Sequence, residues 1–394
     1  MRRGVAVPER AVYLDYAAAT PVDPEVVEAM LPYLSERFEN PSAPYERARA
    51  VRADYDAARA TLARLIGARP DNLVLTAGAT EANNLALACA DGRVAVAATE
   101  HASVLAAAEA RGADLVGVGP DGRVAPEAVR DAIRPDTSLV SVSLANGEIG
   151  TIQPLREIAA VVAEERSRRL EAGERRPIWL HTDASQAARD LSLAVSSLGC
   201  DLMTLSAAKV YGPKRVGMLW AADGVGLRPL VLGGGQERGM RSGTEDVAGT
   251  VAFARALELA QARRAEDSRR LRRLRDRMQR DLLAAFPDAV VAGPRQPKLR
   301  LPDLLHVSFP GCDARRLVIL LERDGVSVGT GSACAASRMR VSHVLEAIGM
   351  GGELAAGSLR ISLGRPTTER DVAYATEAIV RAVSCERART RGGA

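Results

Sequence analysis

Short apolar runs, each closing in a small or polar turn that opens a helical stretch, recur through the first half of the chain. Leu73-Val74-Leu75-Thr76 runs into Ala77-Gly78-Ala79-Thr80, and Val94 to Ala98 into Thr99-Glu100-His101. Ser138 to Leu144 runs into Ala145-Asn146-Gly147-Glu148-Ile149-Gly150, and Ile178 to His181 into Thr182-Asp183-Ala184-Ser185-Gln186. Leu202 to Leu205 runs into Ser206-Ala207-Ala208-Lys209, ahead of the turn Gly212-Pro213. Strands alternating with helices in this way wind into a parallel α/β sheet with helices on both faces. Ligands of such sheets gather at the carboxyl ends of the strands. Thr80, His101, Asn146, Asp183 and Lys209 all fall at that edge, and their shared placement says more than any one of them.

Length adds a second body to this sheet. A chain of 394 residues is too long for one simple core, and two domains are expected. Ahead of the alternating units, Val12 to Asp15 reads as a short strand, Asp23-Pro24 as a helix start, Val26 to Leu34 as helical, and Arg47 to Ile66 as a long amphipathic helix. Glu164 to Arg176 is a dense charge run, read most simply as a solvated helix end and loop. A long helix is expected from about Val247 to Phe286, with Leu271, Leu274, Met278 and Leu282 as its apolar stripe. Its arginines raise the question of nucleic acid, but the interspersed acids favour a solvated amphipathic helix. The domain boundary is placed near this helix. Beyond it, strands are expected at Leu305 to Phe309, Val326 to Val328 and Ser358 to Arg365.

Composition excludes some function classes. Hydrophobic residues make up 47% and charged residues 26%, as in a soluble globular protein, and a formal net charge of +4 argues neither for nor against nucleic acid. Five scattered cysteines without a CxxC pair fit a reducing compartment better than a disulfide framework. No signal peptide, membrane span or metal-ligand spacing is read, so the cytoplasm is the default and no metal is expected.

Taken singly, the candidate residues stay ambiguous. Lys209, between small neighbours, is either a desolvated nucleophilic amine or a solvated turn lysine. Thr80 is part of an anion site at a helix start, or a helix cap. His101 stacks on an aromatic ligand and shuttles a proton, or caps a helix. Asp183 holds a proton on a pyridine nitrogen, or caps a helix. The glycine-rich run Gly233 to Thr244, with two arginines, suits an anion. Cys334, among Gly, Ala and Ser, reads as an exposed thiol, although cysteines are more often core residues. Arg360 clamps a carboxylate, or makes a structural ion pair.

Together, a Schiff-base lysine, an Asp, a ring-stacking His and a phosphate cradle compose a pyridoxal phosphate site. The sequence resembles the cysteine desulfurases, of the class V aminotransferase-like, fold-type-I group, from about Val12 to Asp371. The matching stretches include Tyr13-Leu14-Asp15, Thr20-Pro21-Val22-Asp23-Pro24, Gly78-Ala79-Thr80-Glu81, Glu100-His101, Glu148-Ile149-Gly150, Asp183 with Gln186, and Tyr211-Gly212-Pro213-Lys214. Others are Arg241-Ser242-Gly243-Thr244, Gly331-Ser332-Ala333-Cys334 and Arg360 to Arg365. The spacing from Cys334 to Ser342-His343-Val344-Leu345 looks like the long-loop subgroup that serves iron–sulfur cluster assembly and tRNA thiolation.

The resemblance implies a fold-type-I architecture: a large domain with a mainly parallel seven-stranded sheet flanked by helices, plus a smaller α+β C-terminal domain. It implies an N-terminal segment (1–20) packing with the small domain, a large pyridoxal phosphate domain (21–262), and a small domain (263–394) carrying the cysteine loop. It also implies roles. Lys209 holds pyridoxal 5'-phosphate as a Schiff base and moves protons, Asp183 stabilises the protonated ring nitrogen, Gln186 contacts the phenolic oxygen, and His101 stacks on the ring. Ala79, Thr80 and Ser206 belong to the cofactor site, with Thr244 reaching the phosphate from the partner subunit of a homodimer. Asn146 and Arg360 bind the substrate, L-cysteine. Cys334 takes its sulfur as a persulfide for an acceptor protein, an iron–sulfur scaffold or a tRNA-thiolation enzyme. No membrane and no direct nucleic-acid contact are expected. Ala208 stands where the family usually has His, and Gly147 where it usually has a second Asn. A lyase for selenocysteine or another β-substituted amino acid, and a degenerate member acting as a binding partner, are the competing readings.

Overall fold

The computed structural model describes residues 11–330 and 342–391. The strands are β1 (Val12–Tyr13), β2 (Leu73–Thr76), β3 (Arg93–Ala97), β4 (Ala113–Val116), β5 (Thr137–Ser141), β6 (Trp179–Asp183), β7 (Leu202–Ser206), β8 (Gly217–Ala221), β9 (Val290–Val291), β10 (Leu304–Ser308), β11 (Val326–Ser327) and β12 (Ser358–Ser362). Seven of them form one sheet in the order β2-β8-β7-β6-β5-β3-β4. Only β8 runs against its neighbours, β2 and β7. Of the inner strands, β5, β7 and β8 are buried at every residue and β3 and β6 at all but their ends, so none shows the alternation of a half-exposed strand.

Two strands of this large sheet were not expected, nor was the short β9 of the smaller one. β4 lies at the sheet edge, where Asp114 interrupts its apolar run and Leu115 is exposed. β8 is the antiparallel return from the Gly212-Pro213 turn and has no helix of its own before it.

Helices cover both faces. Glu46–Ile66 and the first half of Val247–Ala285 pack on one side, with Tyr55, Leu62, Phe253 and Leu257 in the same core as Leu73, Val140, Leu180 and Met203. Ala79–Ala88 and Ala102–Glu109 cover the other through Leu85, Leu87, Val104 and Ala108. The expected helix over Val26 to Leu34 is broken: Pro24–Met30 and Pro32–Ser35 are separate, because Pro32 lacks the N–H needed to continue. The charge run after residue 164 is not wholly solvated. Arg169, on the helix Leu155–Glu171, is buried and donates to the carbonyls of Thr137 and Arg134 while pairing with Glu165.

The helix Val247–Ala285 serves two cores. Its residues up to Ala260 belong to the large-sheet core, whereas Leu271, Leu274, Met278 and Leu282 join Leu305, Leu317, Leu359 and Ile379. That second core packs on an antiparallel sheet, β12-β10-β9. β1 pairs in parallel with β11, Val12 against Val326, and Val12 and Leu14 join this second core. The first residues of the described chain are thereby fixed beside the last strand, β12, through the bridge between Asp15 and Ser362.

Candidate active site

Every parallel strand of the large sheet except the edge strand β4 delivers a candidate residue at its carboxyl end. After β7, a short 3-10 turn, Ala207–Lys209, carries Lys209 over that edge. Lys209 Nζ donates to the carbonyls of Ala17 and Ala18, at 2.7 Å each. Burial pushes its pKa down to about 8, aided by the charges of Arg360 and Arg189 and opposed by Asp183 and Asp15. Such an amine sheds its proton close to neutral pH, the condition for nucleophilic attack.

β6 ends on Asp183. Its Oδ2 accepts from Asn83 Nδ2 at 2.8 Å and its Oδ1 from the Ser185 N–H at 2.9 Å. The same Asn83 nitrogen donates to Ser103 Oγ at 2.9 Å, and Ser103 Oγ lies 2.8 Å from His101 Nδ1. The Ser103 N–H also donates to Nδ1, at 3.1 Å, which makes Nδ1 the acceptor and assigns the ring proton to Nε2. His101 caps the helix Ala102–Glu109, so its capping reading holds as well. Its pKa is lowered by burial, then raised by Asp183 and lowered again by Lys209 and His343, so the ring is neutral at physiological pH. Glu100 beside it is wholly buried, with one carboxyl oxygen bonded to the Ser143 N–H and the other unpartnered. Burial pushes its pKa up to about 8, and it keeps its proton at neutral pH.

At the end of β2, Gly78 adopts φ 114° and opens the helix Ala79–Ala88 without a side-chain cap. The N–H groups of Ala79 and Thr80 therefore face outward with no intrahelical acceptor. Thr80 is exposed and is not the cap. Glu81 holds the turn, its two oxygens accepting from the Ala77 N–H and Arg241 Nε, both at 2.9 Å. Ser206 lies opposite Gly217 in the sheet, and Gly217 is so close to Gly78 that a Cβ there would come within 2.7 Å of the Gly78 carbonyl carbon. Ser206 is thus brought, through Gly217, to the side of the turn that leads into Thr80. Thr244 stands apart, exposed on a cavity of about 260 Å³ that it lines with Tyr55, Ala77, Arg215 and Arg241.

The second half of the site comes from the loop after β5 and from β12. Asn146 is occupied by backbone: Oδ1 accepts from the N–H groups of Glu148 and Ile149, at 2.8 and 2.9 Å, and Nδ2 donates to Thr99 O at 2.9 Å. It shapes the turn that precedes Gly150. Arg360 Nη2 pairs with Asp15 Oδ1 at 2.9 Å and Nη1 reaches Gly147 O at 3.4 Å, while Nε is buried and has no partner among the described residues. Gln186 Nε2 donates to Ala17 O at 3.0 Å. A Cβ at Gly147 would come within 2.6 Å of the Gln186 carboxamide, so Gln186 fills the space that a side chain at 147 would need. Cys334 lies outside the described residues. The chain on either side is tied to the site: Gly329 bridges to Arg360, Ser342 Oγ donates to Glu148, and His343 Nε2 lies 2.9 Å from Glu100 O.

These groups suit pyridoxal phosphate. The uncapped helix start and Ser206 present donors for a phosphate, Asp183 is a fixed carboxylate, His101 is a neutral ring, and Lys209 is a desolvated amine. Among the described residues no group of His, Cys, Asp and Glu has the arrangement of a metal site. No role was read for Asn83, Ser103, Glu100 or Asp15, although Glu100 and Asp15 stand in stretches that match the family. Asn83 also had a local signal, a polar residue inside the Ala- and Leu-rich helix that follows Gly78; Ser103 had none before the fold was known.

The sequence matches the aminotransferase class-V family over residues 12–374. It is 38% identical over 387 residues to the cysteine desulfurase IscS of Dictyoglomus turgidum, covering 95% of each chain. A solved structure described as a NifS-like protein superposes with a TM-score of 0.86 at 32% identity, covering 95% of this chain and all of that one. One described as SspA in complex with cysteine gives 0.73 at 31% identity, over 90% of this chain and 99% of that one. The chain belongs to the aminotransferase class-V family. Within that family it is a member of the cysteine desulfurases, enzymes that use pyridoxal 5'-phosphate.

Proposed function

We propose that this chain converts L-cysteine to L-alanine, with Lys209, Asp183, His101 and Arg360 as its working groups and Cys334 as the thiol that takes the sulfur. The observation that carries the assignment is the amine of Lys209, desolvated at the same edge as a fixed carboxylate and a guanidinium with a free buried donor. Pyridoxal phosphate, when bound, supplies the electron-withdrawing ring that makes the substrate C–S bond labile. Asp183 favours a proton on the ring nitrogen, and Asn83 keeps that carboxylate in place. Neutral His101, with its proton on Nε2, stacks on the ring and is available as a proton donor. Ala79, Thr80 and Ser206 take the phosphate, Gln186 serves the phenolic oxygen once it leaves Ala17 O, and Arg360 takes the substrate carboxylate. Asn146 acts by holding the turn between Thr99 and Ile149.

The reading extends to assembly. A homodimer is supported by Leu230, Val231 and Leu232, apolar and exposed just ahead of the segment bearing Thr244. Phe38 and Tyr45 are exposed in the neighbouring loop, which Ser42 and Arg52 tie to Glu245. Thr244 would there serve the phosphate of a second copy. The domain division at 262/263 is supported by the change of core along the helix Val247–Ala285, and the packing of residues 11–20 with the small domain by the β1–β11 pair. The acceptor would be an iron–sulfur scaffold or a tRNA-thiolation protein. A cytoplasmic setting agrees with the lack, among the described residues, of any helix long and apolar enough to cross a membrane.

The test is to incubate the purified protein with L-cysteine and a reductant and to quantify alanine and sulfide. Borohydride should fix the cofactor on Lys209, and Lys209→Ala should lose both that bond and turnover. Cys334→Ser should stop alanine release while L-cysteine still changes the absorbance of the bound cofactor. Label on another lysine, or unchanged turnover in the Cys334 variant, would refute the assignment.

A further inference from the structure

The turn Asp15–Ala19 contains only one charged side chain, yet it touches both ends of the chemistry. Asp15 Oδ1 lies 2.9 Å from Arg360 Nη2. The next two carbonyls but one, Ala17 O and Ala18 O, each accept from Lys209 Nζ at 2.7 Å. Thr20, just beyond, grips the backbone on which Lys209 sits: its Oγ1 donates to Ala208 O at 3.0 Å and accepts from the Tyr211 N–H at 2.9 Å. The turn is closed on itself and anchored. Ala18 N–H donates to Asp15 O at 3.0 Å, and Tyr13 OH lies 2.9 Å from Asp15 O and 3.0 Å from Ala19 O. Ala17 N–H donates to Ser362 Oγ at 2.8 Å, on the same strand as Arg360.

We propose that this turn is a positioning element of the active site: Asp15 orients the Arg360 guanidinium for the substrate carboxylate, and the carbonyls of Ala17 and Ala18 retain the Lys209 amine when it is not bound to the cofactor. The inference rests on the roles given above to Lys209 and Arg360. Its physical basis is that a guanidinium has a fixed fork of donors. With Nη2 held by Asp15 and Nη1 near Gly147 O, the buried and unpartnered Nε is left in a defined direction for an incoming carboxylate. The amine, for its part, would otherwise be a free four-carbon arm. Two carbonyl acceptors hold it within reach and favour its ammonium form against the desolvation that opposes it. Because both contacts sit on one short turn, a shift of Arg360 on substrate binding reaches Lys209 through the backbone between Asp15 and Ala18.

Two variants separate the two contacts. Ser362→Ala removes the anchor of the Ala17 N–H and loosens the carbonyl pair. In the full chain freed of cofactor, the pH midpoint for acylation of the Lys209 amine, read by peptide mass spectrometry, should fall by about one unit, since the ammonium loses acceptors. In the cofactor-loaded enzyme kcat should fall more than KM changes. Asp15→Asn keeps an acceptor on Arg360 but removes the charge, and KM for L-cysteine should rise about tenfold with a smaller change in kcat. Asp15→Ala should raise KM further; where it does not fold, Asp15→Asn alone carries this arm. A parent-like acylation midpoint in Ser362→Ala, or a parent-like KM in Asp15→Asn, overturns the proposal. If the parent releases no alanine from L-cysteine, the functional reading fails instead, and the acylation arm alone decides whether the turn holds the amine.

Discussion

Arg59–Glu237 is a buried ion pair and Arg360–Asp15 a half-buried one, and they are completed to different degrees. Arg59 donates to Leu73 O and Glu237, and Glu237 also accepts from Tyr55 OH at 2.6 Å and from the Leu75 N–H at 2.8 Å. That cluster joins the helix Glu46–Ile66, β2 and the glycine-rich segment, and neither of its charged side chains leaves a buried polar atom unpartnered. Glu237 and Arg238 within it adopt left-handed backbone, at φ 50° and 57°. Arg360, on β12, keeps a buried donor without a partner among the described residues. A buried polar group without a partner costs free energy unless something completes it. Arg189, Arg275 and Arg300 also keep such atoms, so the free donor marks Arg360 for the site only together with its place beside Lys209, whose pKa its charge lowers.

Breaking the saturated pair should have the largest effect on stability. Glu237→Gln strands the Arg59 charge among buried groups, and removing one partner of such a pair costs about 3–5 kcal/mol. Urea unfolding should show that loss, while KM for L-cysteine in the folded fraction stays near the parent value. A drop in stability under ~1 kcal/mol would mean that the cluster is not a structural keystone.

The two histidines near Asp183 repeat the contrast. His181 is buried with both ring nitrogens bonded, Nδ1 to Ser141 Oγ at 2.9 Å and Nε2 to Thr204 Oγ1 at 3.1 Å. Burial pushes its pKa down to about 4, against 6.5 when unfolded, with Asp183 opposing. Between those values the unfolded chain binds a proton that the folded chain refuses. The stabilising contribution is therefore full above pH 6.5 and is lost as pH falls towards 4. On the order of 2 kcal/mol should disappear between pH 7 and pH 4.5. His181→Gln should flatten that acid limb; an unchanged limb would assign it to other groups. His101, at the solvent edge, should contribute far less to stability.

Arg360→Lys tests the unsaturated pair. The charge beside Asp15 survives but the planar fork does not. One charge-assisted hydrogen bond is worth roughly 1.5–3 kcal/mol, so KM for L-cysteine should rise about ten- to a hundredfold. The unfolding midpoint should move little. A large stability loss with an unchanged KM would reverse the assignment and make Arg360 the structural arginine.

The same distinction explains what was legible in the sequence. Asp183, His101 and Lys209 could be found because a parallel strand ends where its apolar run ends, and that end is where ligands bind. β4 escaped because an edge strand need not be apolar throughout, and β8 because an antiparallel return lacks the strand–helix rhythm. Asp15 was read as the end of a short strand; nothing local places it against Arg360, which lies on the last strand of the chain. The carbonyls of Ala17 and Ala18 had no signal at all, since every residue carries one. What the sequence shows well is side-chain chemistry at predictable positions. Backbone acceptors and pairs made across the whole chain depend on the completed fold.

The smallest expected effect concerns Gly147, where the resemblance leads one to expect Asn. A side chain there cannot simply be restored. Its Cβ would come within 2.6–2.7 Å of Gln186 Cγ, Cδ and Nε2, so Gln186 must swing away and give up its bond to Ala17 O. A neutral hydrogen bond contributes about 0.5–1.5 kcal/mol. Gly147→Ala should therefore lower stability by about 1 kcal/mol, and so should Gln186→Ala by removing the same bond from the other side. The double variant should cost little more than either single one, because the clash and the bond are both already gone. The double-mutant cycle reads this directly, as a coupling energy of about 1 kcal/mol. Simple additivity would mean that Gln186 is free to move, and that the loss of Asn at 147 has left an open space rather than one taken over by Gln186. Coupling would mean that the two positions form one unit, in which Gln186 is held by the N-terminal turn until a ligand draws it away.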